Sequence, residues 1–129
     1  MQQGQGREPH AEDLVEVRVS APDADTAAAL ARALVEGRLA ACVQVLPGIT
    51  STYVWRGEVE EEAEHLLLVK STASRFEAIR ALVRSEHPYD TPEVLAVPVV
   101  AADPAYAAWV ADTVDGEAPP GRERTEDDS

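Results

Sequence analysis

The strongest local signal of the fold is the stretch Thr50-Ser-Thr-Tyr-Val-Trp-Arg-Gly-Glu-Val-Glu60. Residues that favour β-strands stand on both sides of Arg56-Gly57, and glycine tolerates the positive φ that a tight two-residue turn requires. The stretch therefore predicts a β-hairpin. Its returning arm begins with a run of glutamates and ends in the apolar Leu66-Leu-Leu-Val69. This change of composition predicts a strand with a buried base and a projecting tip.

Hydrophobic periodicity predicts the elements outside the hairpin. Alternation with period two, or a dense apolar run, predicts strands at 14–20, 41–46 and 94–100. Pro47-Gly48 interrupts the second of these strands as a bulge or a bend would, and Pro98 in the last one suggests a sheet edge or a bulge. Apolar residues at helical spacing predict a helix within 23–37, a second that ends at Pro88, and a short third helix after Asp103-Pro104.

The helix boundaries carry their own signals. Asp23 or Asp25 can cap the first helix, and Gly37 can stop it. The second helix opens on Ser74-Arg-Phe-Glu77, which has the form of a capping box, so both side chains are expected to satisfy free backbone N–H groups.

The order strand, helix, strand, strand, helix, strand, followed by an added helix, predicts an α+β protein. Two right-handed βαβ crossovers in this order give a ferredoxin-like fold, in which both helices cover one face of an antiparallel four-stranded sheet. The other face of the sheet is then left for another subunit to cover.

Composition narrows the range of partners. The chain has 129 residues, of which 45% are hydrophobic, and 24 acidic residues outnumber 11 basic ones to give a net charge of −13. That charge disfavours nucleic acid and anionic membranes. The single cysteine and the lack of a signal peptide or a membrane segment favour a cytoplasmic protein. We expect a polar, disordered tail at 1–13, a domain at 14–114 and an acidic, disordered tail at 115–129.

Four blocks of sequence, at 38–60, 64–70, 87–93 and 103–106, resemble the CutA divalent-cation-tolerance family. They include Arg38-Leu-Ala-Ala-Cys-Val-Gln-Val45 and His87-Pro-Tyr-Asp-Thr-Pro-Glu93. The resemblance implies a ferredoxin-like homotrimer with exchanged hairpins, similar in architecture to the trimeric PII signalling proteins. It also implies tolerance to divalent cations, copper binding in some members, and no enzymatic reaction. The residues agree on the last point, because no catalytic motif is present.

Cys42, His87 and Glu61 are the candidate metal ligands. A thiolate is a soft ligand that suits copper, although a cysteine in a strand is more often a small buried hydrophobe. His87 either ligates a metal in a cleft between subunits or is a hydrogen-bonded histidine that ends a helix. Glu61 belongs to the glutamates of the hairpin, which can converge only across a trimer axis and otherwise form a solvated edge. His65, on an apolar strand face, is expected to be packed and hydrogen-bonded.

Lys70, Tyr89 and Glu93 are the candidates for a ligand-binding cleft, and Tyr53 and Trp55 for the trimer interface. Large rings on a projecting arm are costly to leave in water, so burial against a neighbouring subunit is their expected role.

The predicted function is therefore that of a homotrimeric protein of metal homeostasis that binds copper or another divalent cation and needs no obligatory cofactor. One alternative is a PII-like sensor of a small anionic metabolite, which would use Lys70, His87 and Tyr89. Another is a trimeric assembly scaffold without a ligand.

Overall fold

The computed structural model describes residues 13–115, and the elements follow one another in the predicted order. The strands and helices are β1 (Leu14–Ala21), α1 (Ala24–Glu36), β2 (Cys42–Trp55), β3 (Glu58–Thr72), α2 (Phe76–Glu86), β4 (Val94–Pro98) and α3 (Pro104–Val114). Except for Asp13 and Asp115, the two predicted tails lie outside the described residues. None of the helices within 13–115 has the length and apolar character needed to span a membrane.

The four strands form one antiparallel sheet in the order β2-β3-β1-β4. This order confirms the ferredoxin-like α+β prediction. It also places β4 at an edge of the sheet, where its one neighbouring strand is β1. Pro98, which has no backbone N–H to donate, is tolerated in such an edge strand. Of the two explanations that the sequence offered for Pro98, the structure supports the sheet edge.

The hairpin between β2 and β3 closes at a turn in which both central residues have positive φ. Arg56 has a φ of 52° and Gly57 a φ of 82°, which is the pattern of a type I′ turn. This turn sets the register of the hairpin, in which Tyr53 pairs with Glu60 and Trp55 pairs with Glu58.

A bulge at Pro47-Gly48 divides β2 into two parts. Leu46 pairs with Leu66, and the next pair is Ile49 with Glu64. Two residues of β2 therefore stand against one residue of β3, which shifts the register of the two strands. Because successive strand residues point to opposite faces, this insertion reverses the alternation of β2. Tyr53 and Trp55 thereby lie on the same sheet face as Leu46.

The helix ends agree only in part with their sequence signals. Asp23 caps α1 by accepting a hydrogen bond from the backbone N–H of Thr26, at 2.7 Å. Gly37 ends that helix with a φ of −82°, and the left-handed residue is instead Arg38, with a φ of 60°.

The capping box predicted for α2 is wrong. A 3₁₀ turn at Ala73–Arg75 precedes the helix, and no side chain makes a cap bond at its first residue. The Ser74 hydroxyl lies 3.3 Å from the Thr72 hydroxyl instead.

The hydrophobic core lies between α1, α2 and one face of the sheet. Val17, Val19, Leu67 and Val69 of the central strands pack there against buried leucine, isoleucine and valine residues of the two helices. Burial of these side chains is the main source of folding free energy.

The opposite face, which we call the open face, is not covered by α1 or α2. Helix α3 packs at one end of it, where Val110 and Val114 contact Ala41 and Leu14. The register places the following apolar side chains on the rest of the open face: Leu46, Leu66, Leu68 and Leu95. Leu46 is 47% exposed and Leu95 is 54% exposed.

Candidate functional site

An open groove of about 590 Å³ lies where the arms of the hairpin meet the connection between α2 and β4. Its walls come from the end of β1, from β2 and β3 beyond the bulge, and from residues 89–93. We call it the acidic groove, and it is lined by Ser20, Ser51, Tyr53, Trp55, Glu62, Glu64, Tyr89, Asp90, Thr91 and Glu93.

Tyr89 and Glu64 form the best-defined contact in the acidic groove. The Tyr89 hydroxyl donates a hydrogen bond to Oε2 of Glu64, at 3.0 Å. Burial is the larger cause, and this bond to a carboxylate the next, that raise the pKa of Tyr89 to about 12. The phenol is therefore neutral at physiological pH. Glu64 is only 6% exposed and is not part of the solvated edge that the sequence suggested for the hairpin glutamates.

His87 uses both of its ring nitrogens within the chain. Nε2 lies 2.7 Å from the carbonyl oxygen of Ser20, and Nδ1 accepts the backbone N–H of Tyr89 at 3.1 Å. A carbonyl can only accept, so Nε2 carries the proton and Nδ1 is the bare nitrogen. His87 is buried and lies against the ring of Tyr89. The structure supports the second of its two predicted roles, the hydrogen-bonded histidine, because neither nitrogen is available to a metal.

Lys70 lies on the open face and does not line the acidic groove. Its Nζ forms an ion pair with Glu16, which also accepts a hydrogen bond from Arg18 at 2.9 Å. The hydrogen bond from Lys70 is the largest of the causes that hold the pKa of Glu16 below its ordinary value. Tyr89 and Glu93 are thus the two cleft candidates that share a site, whereas Lys70 is occupied elsewhere.

The candidate metal ligands do not come together in one chain. Cys42 is a half-buried free thiol, and in the strand register it lies opposite Lys70 at the base of β3. Glu61 is exposed and lies opposite Thr52 near the hairpin tip. Within residues 13–115, no group of three histidine, cysteine, aspartate or glutamate side chains is arranged to hold a metal ion. Any metal bound by Cys42 and Glu61 therefore needs more than one copy of the chain.

His65 differs from its sequence interpretation in one respect. It pairs with Ala21 on the helix-covered side of β3, as expected, but its Nδ1 is buried without a hydrogen-bond partner. This nitrogen therefore makes no hydrogen bond, although the side chain was expected to be hydrogen-bonded.

Sequence reasoning considered Glu62 and Glu64 only as members of the hairpin glutamates and missed Asp90, so it did not predict that these carboxylates line one groove. Strand alternation does place Glu62 and Glu64 on the same face as their partners Ser51 and Ile49. The contact with Tyr89, however, depends on how the α2–β4 connection folds over the strand, which no local pattern specifies.

Comparison with known proteins adds two kinds of similarity. The family model described as "CutA1 divalent ion tolerance protein" matches residues 15–113. The chain is 45% identical over 94 residues to the divalent-cation tolerance protein CutA of Thermus thermophilus, covering 73% of this chain and 91% of the relative. It is 47% identical over 92 residues to protein CutA of Mus musculus, covering 71% of this chain. The chain spans about half the length of that mouse relative, 52%.

Solved structures show the same fold. The divalent cation tolerance protein of Thermus thermophilus superposes with a TM-score of 0.76 at 42% identity, covering 78% of this chain and 97% of that one. A protein of Archaeoglobus fulgidus, described as a periplasmic divalent cation tolerance protein CutA, superposes with a TM-score of 0.77 at 31% identity, covering 79% of this chain and 99% of that one. With a family match over nearly the whole described domain, the chain belongs to the CutA1 divalent ion tolerance protein family.

Proposed function

We propose that this protein acts in divalent-cation tolerance as a homotrimer that binds copper or another divalent cation between its subunits and catalyses no reaction. The observation that carries the proposal is the open face, a strip of leucines on a sheet side that α1 and α2 do not cover. Contiguous exposed apolar surface of this kind is typical of a protein–protein interface.

The hairpin supports the same assembly. Tyr53 and Trp55 continue the open face beyond the bulge and remain 39% and 54% exposed. Large rings gain much free energy when they leave water. We place them at the contact between subunits, where each would extend the surface that a neighbouring copy covers.

The proposed metal donors are the Cys42 thiolate and the Glu61 carboxylate, contributed by different copies. Cys42 lies on the open face, opposite Lys70, and so faces the proposed interface. A thiolate provides the soft ligand that favours copper, and the carboxylate supplies a negatively charged oxygen. His87 contributes to the fold of each subunit and is left out of the proposed ligand set.

The alternative of a PII-like sensor for an anionic metabolite has little support in the geometry. Its intended residues are engaged within the chain, Lys70 with Glu16 and His87 with Ser20. The acidic groove is lined by carboxylates, which repel an anion. The cytoplasmic location remains part of the proposal and rests on composition alone.

The test is a calorimetric titration of the metal-free full chain with Cu²⁺ and Zn²⁺. We expect saturable copper binding that Cys42→Ser weakens by about tenfold or more, because the soft donor is lost. Glu61→Gln should also weaken binding, whereas Glu36→Gln, which removes one charge from the exposed end of α1, should not.

Absence of copper binding in the assembled protein would contradict the metal-binding role and favour the scaffold without a ligand. Equal loss of binding in Glu61→Gln and Glu36→Gln would show that only net charge matters. Saturable binding of anionic metabolites with no metal binding would restore the sensor alternative.

A further inference from the structure

Two cations share one carboxylate on the open face. Glu16 accepts a hydrogen bond from Nε of Arg18 at 2.9 Å and forms an ion pair with Nζ of Lys70. No other carboxylate among residues 13–115 forms an ion pair with either cation. This part of the open face therefore has an excess of positive charge, in a chain whose net charge is −13.

Arg18 is the cation that has hydrogen-bonding capacity left. Its side chain is 45% exposed, and its guanidinium makes one hydrogen bond to the described residues although a guanidinium offers several N–H donors. It stands among apolar residues of the open face, opposite Leu68 of β3 and Leu95 of β4. A partner that covers these leucines also withdraws the guanidinium from water, which is costly unless the partner brings a carboxylate.

The hairpin carries carboxylates that its own chain cannot bring to Arg18. Glu60 lies on the open-face side of β3, and at about 3.3 Å per residue it stands about 26 Å from Leu68, the partner of Arg18. Glu64, the nearest glutamate on that side of β3, is about 13 Å from Leu68 by the same measure. Both separations exceed the reach of an ion pair, so a hairpin carboxylate that meets Arg18 must belong to another copy.

Rings and carboxylates stand side by side on the open-face side of the hairpin. Tyr53 lies opposite Glu60, and Trp55 lies opposite Glu58. Glu60 is half-buried beside Tyr53 and forms no ion pair with any residue of the described part of the chain. The open face offers the complement, leucines for the rings and an arginine for the carboxylate. Complementary charge of this kind selects a partner and fixes its register.

We propose that Arg18 on the open face of one copy pairs with Glu60 on the hairpin of a second copy, whose Tyr53 packs on the leucines around the arginine. The inference rests on the proposed assembly through the open face, and it adds the charge pair that selects the hairpin as the covering segment. It does not involve the proposed metal donors Cys42 and Glu61.

Sedimentation velocity of the metal-free full chain over a dilution series provides the test, because it gives the concentration at which half of the protein is assembled. Arg18→Glu and Glu60→Arg each bring like charges together at the proposed contact. We expect each to raise that concentration by about tenfold or more. The two substitutions combined restore opposite charges in reversed positions and should recover most of the loss.

Two further comparisons separate direct pairing from other effects. Glu86→Arg, at the exposed end of α2, changes the net charge as Glu60→Arg does and should not weaken assembly, because it lowers the repulsion between acidic copies. Arg18→Gln introduces no acid beside Glu16, so it serves as the second variant if circular dichroism shows that Arg18→Glu is unfolded. It should weaken assembly, and Glu60→Gln added to it should have no further effect.

Three results would overturn the inference while the parent chain still assembles, which would leave the proposed assembly standing. The first is a combined variant that recovers nothing, and the second is equal weakening by Glu60→Arg and Glu86→Arg. The third is assembly that millimolar phosphate strengthens in the parent but not in Arg18→Gln, with no effect of Glu60→Arg. A small anion would then neutralise Arg18 in place of the hairpin. A parent chain that stays monomeric would reject the proposed assembly and this inference together.

Discussion

Nε2 of His87 donates a hydrogen bond to the carbonyl oxygen of Ser20, 67 residues away in sequence, and joins the end of α2 to the end of β1. The same ring accepts the N–H of Tyr89 through Nδ1 and so also fixes the start of the α2–β4 connection. One buried imidazole therefore positions the segment that places Tyr89 over Glu64.

His87→Ala should lower the free energy of unfolding by about 1–3 kcal/mol, because it removes a packed ring and leaves the buried carbonyl of Ser20 without its donor. Chemical denaturation in urea measures the loss. The matched control is His65→Ala, which should cost less, since Nδ1 of His65 makes no hydrogen bond. Weaker copper binding in a stably folded His87→Ala protein would contradict the structural role.

The ion pair of Glu16 with Lys70 makes the protein less stable as the pH falls. The pKa of Glu16 is lowered in the folded chain from an ordinary value of 4.5. The stabilisation is therefore complete above that value and is lost as the pH falls through the lower folded pKa. Glu16→Gln should cost about 1–3 kcal/mol at neutral pH and flatten this acid-induced loss.

Urea denaturation at a series of pH values from neutral to acidic measures the effect of Glu16. Glu77→Gln, whose side chain is 75% exposed, serves as the control and should leave the pH profile nearly parallel to that of the parent chain. If Glu16→Gln were as stable as the parent at neutral pH, the ion pair with Lys70 would not contribute as described.

The turn requires at position 57 a residue that tolerates a φ of 82°, which is the φ of Gly57. Gly57→Ala should destabilise the hairpin by about 1–2 kcal/mol, because a β-carbon clashes with the backbone in this conformation. Gly57→Asn should cost less, since asparagine enters the left-handed region more readily. Thermal unfolding of the three proteins gives the order. The β-carbon would strain only the backbone next to it, because it would meet no atom within 4 Å beyond the chain neighbours of Gly57. Equal stability of the alanine and asparagine variants would reject the backbone explanation.

A substitution at Leu46 tests whether another copy of the chain covers the open face. Leu46→Glu should weaken assembly, because it places a charge within the apolar strip that another copy is proposed to cover. Sedimentation velocity at decreasing protein concentration measures the shift towards smaller species. Ala28→Glu, on the exposed side of α1, adds the same charge outside the strip and should assemble as the parent does. Unchanged assembly of Leu46→Glu would exclude this part of the face from the interface.

Local patterns were sufficient to predict most of the fold. The Arg56-Gly57 turn, the strand alternation and the Asp23 cap each act within a few residues, and the structure confirms all three. The capping box at Ser74 failed because the chain leaves β3 through a 3₁₀ turn, which moves the first residue of α2 beyond the serine.

The candidate site was less predictable because its contacts join distant segments. Alternation alone cannot show that Tyr89 reaches Glu64, 25 residues away, or that Lys70 pairs with Glu16, 54 residues away. Charge patterns describe the glutamates of the hairpin as one group. Only the folded chain separates the buried Glu64 from the exposed Glu61.

Sedimentation equilibrium of the full chain at low micromolar concentration shows whether copies of this chain cover the open face. We expect a single species of about three times the chain mass of 13.9 kDa. A folded and stable species of 13.9 kDa would contradict this expectation, because the leucines of the open face would then remain in water.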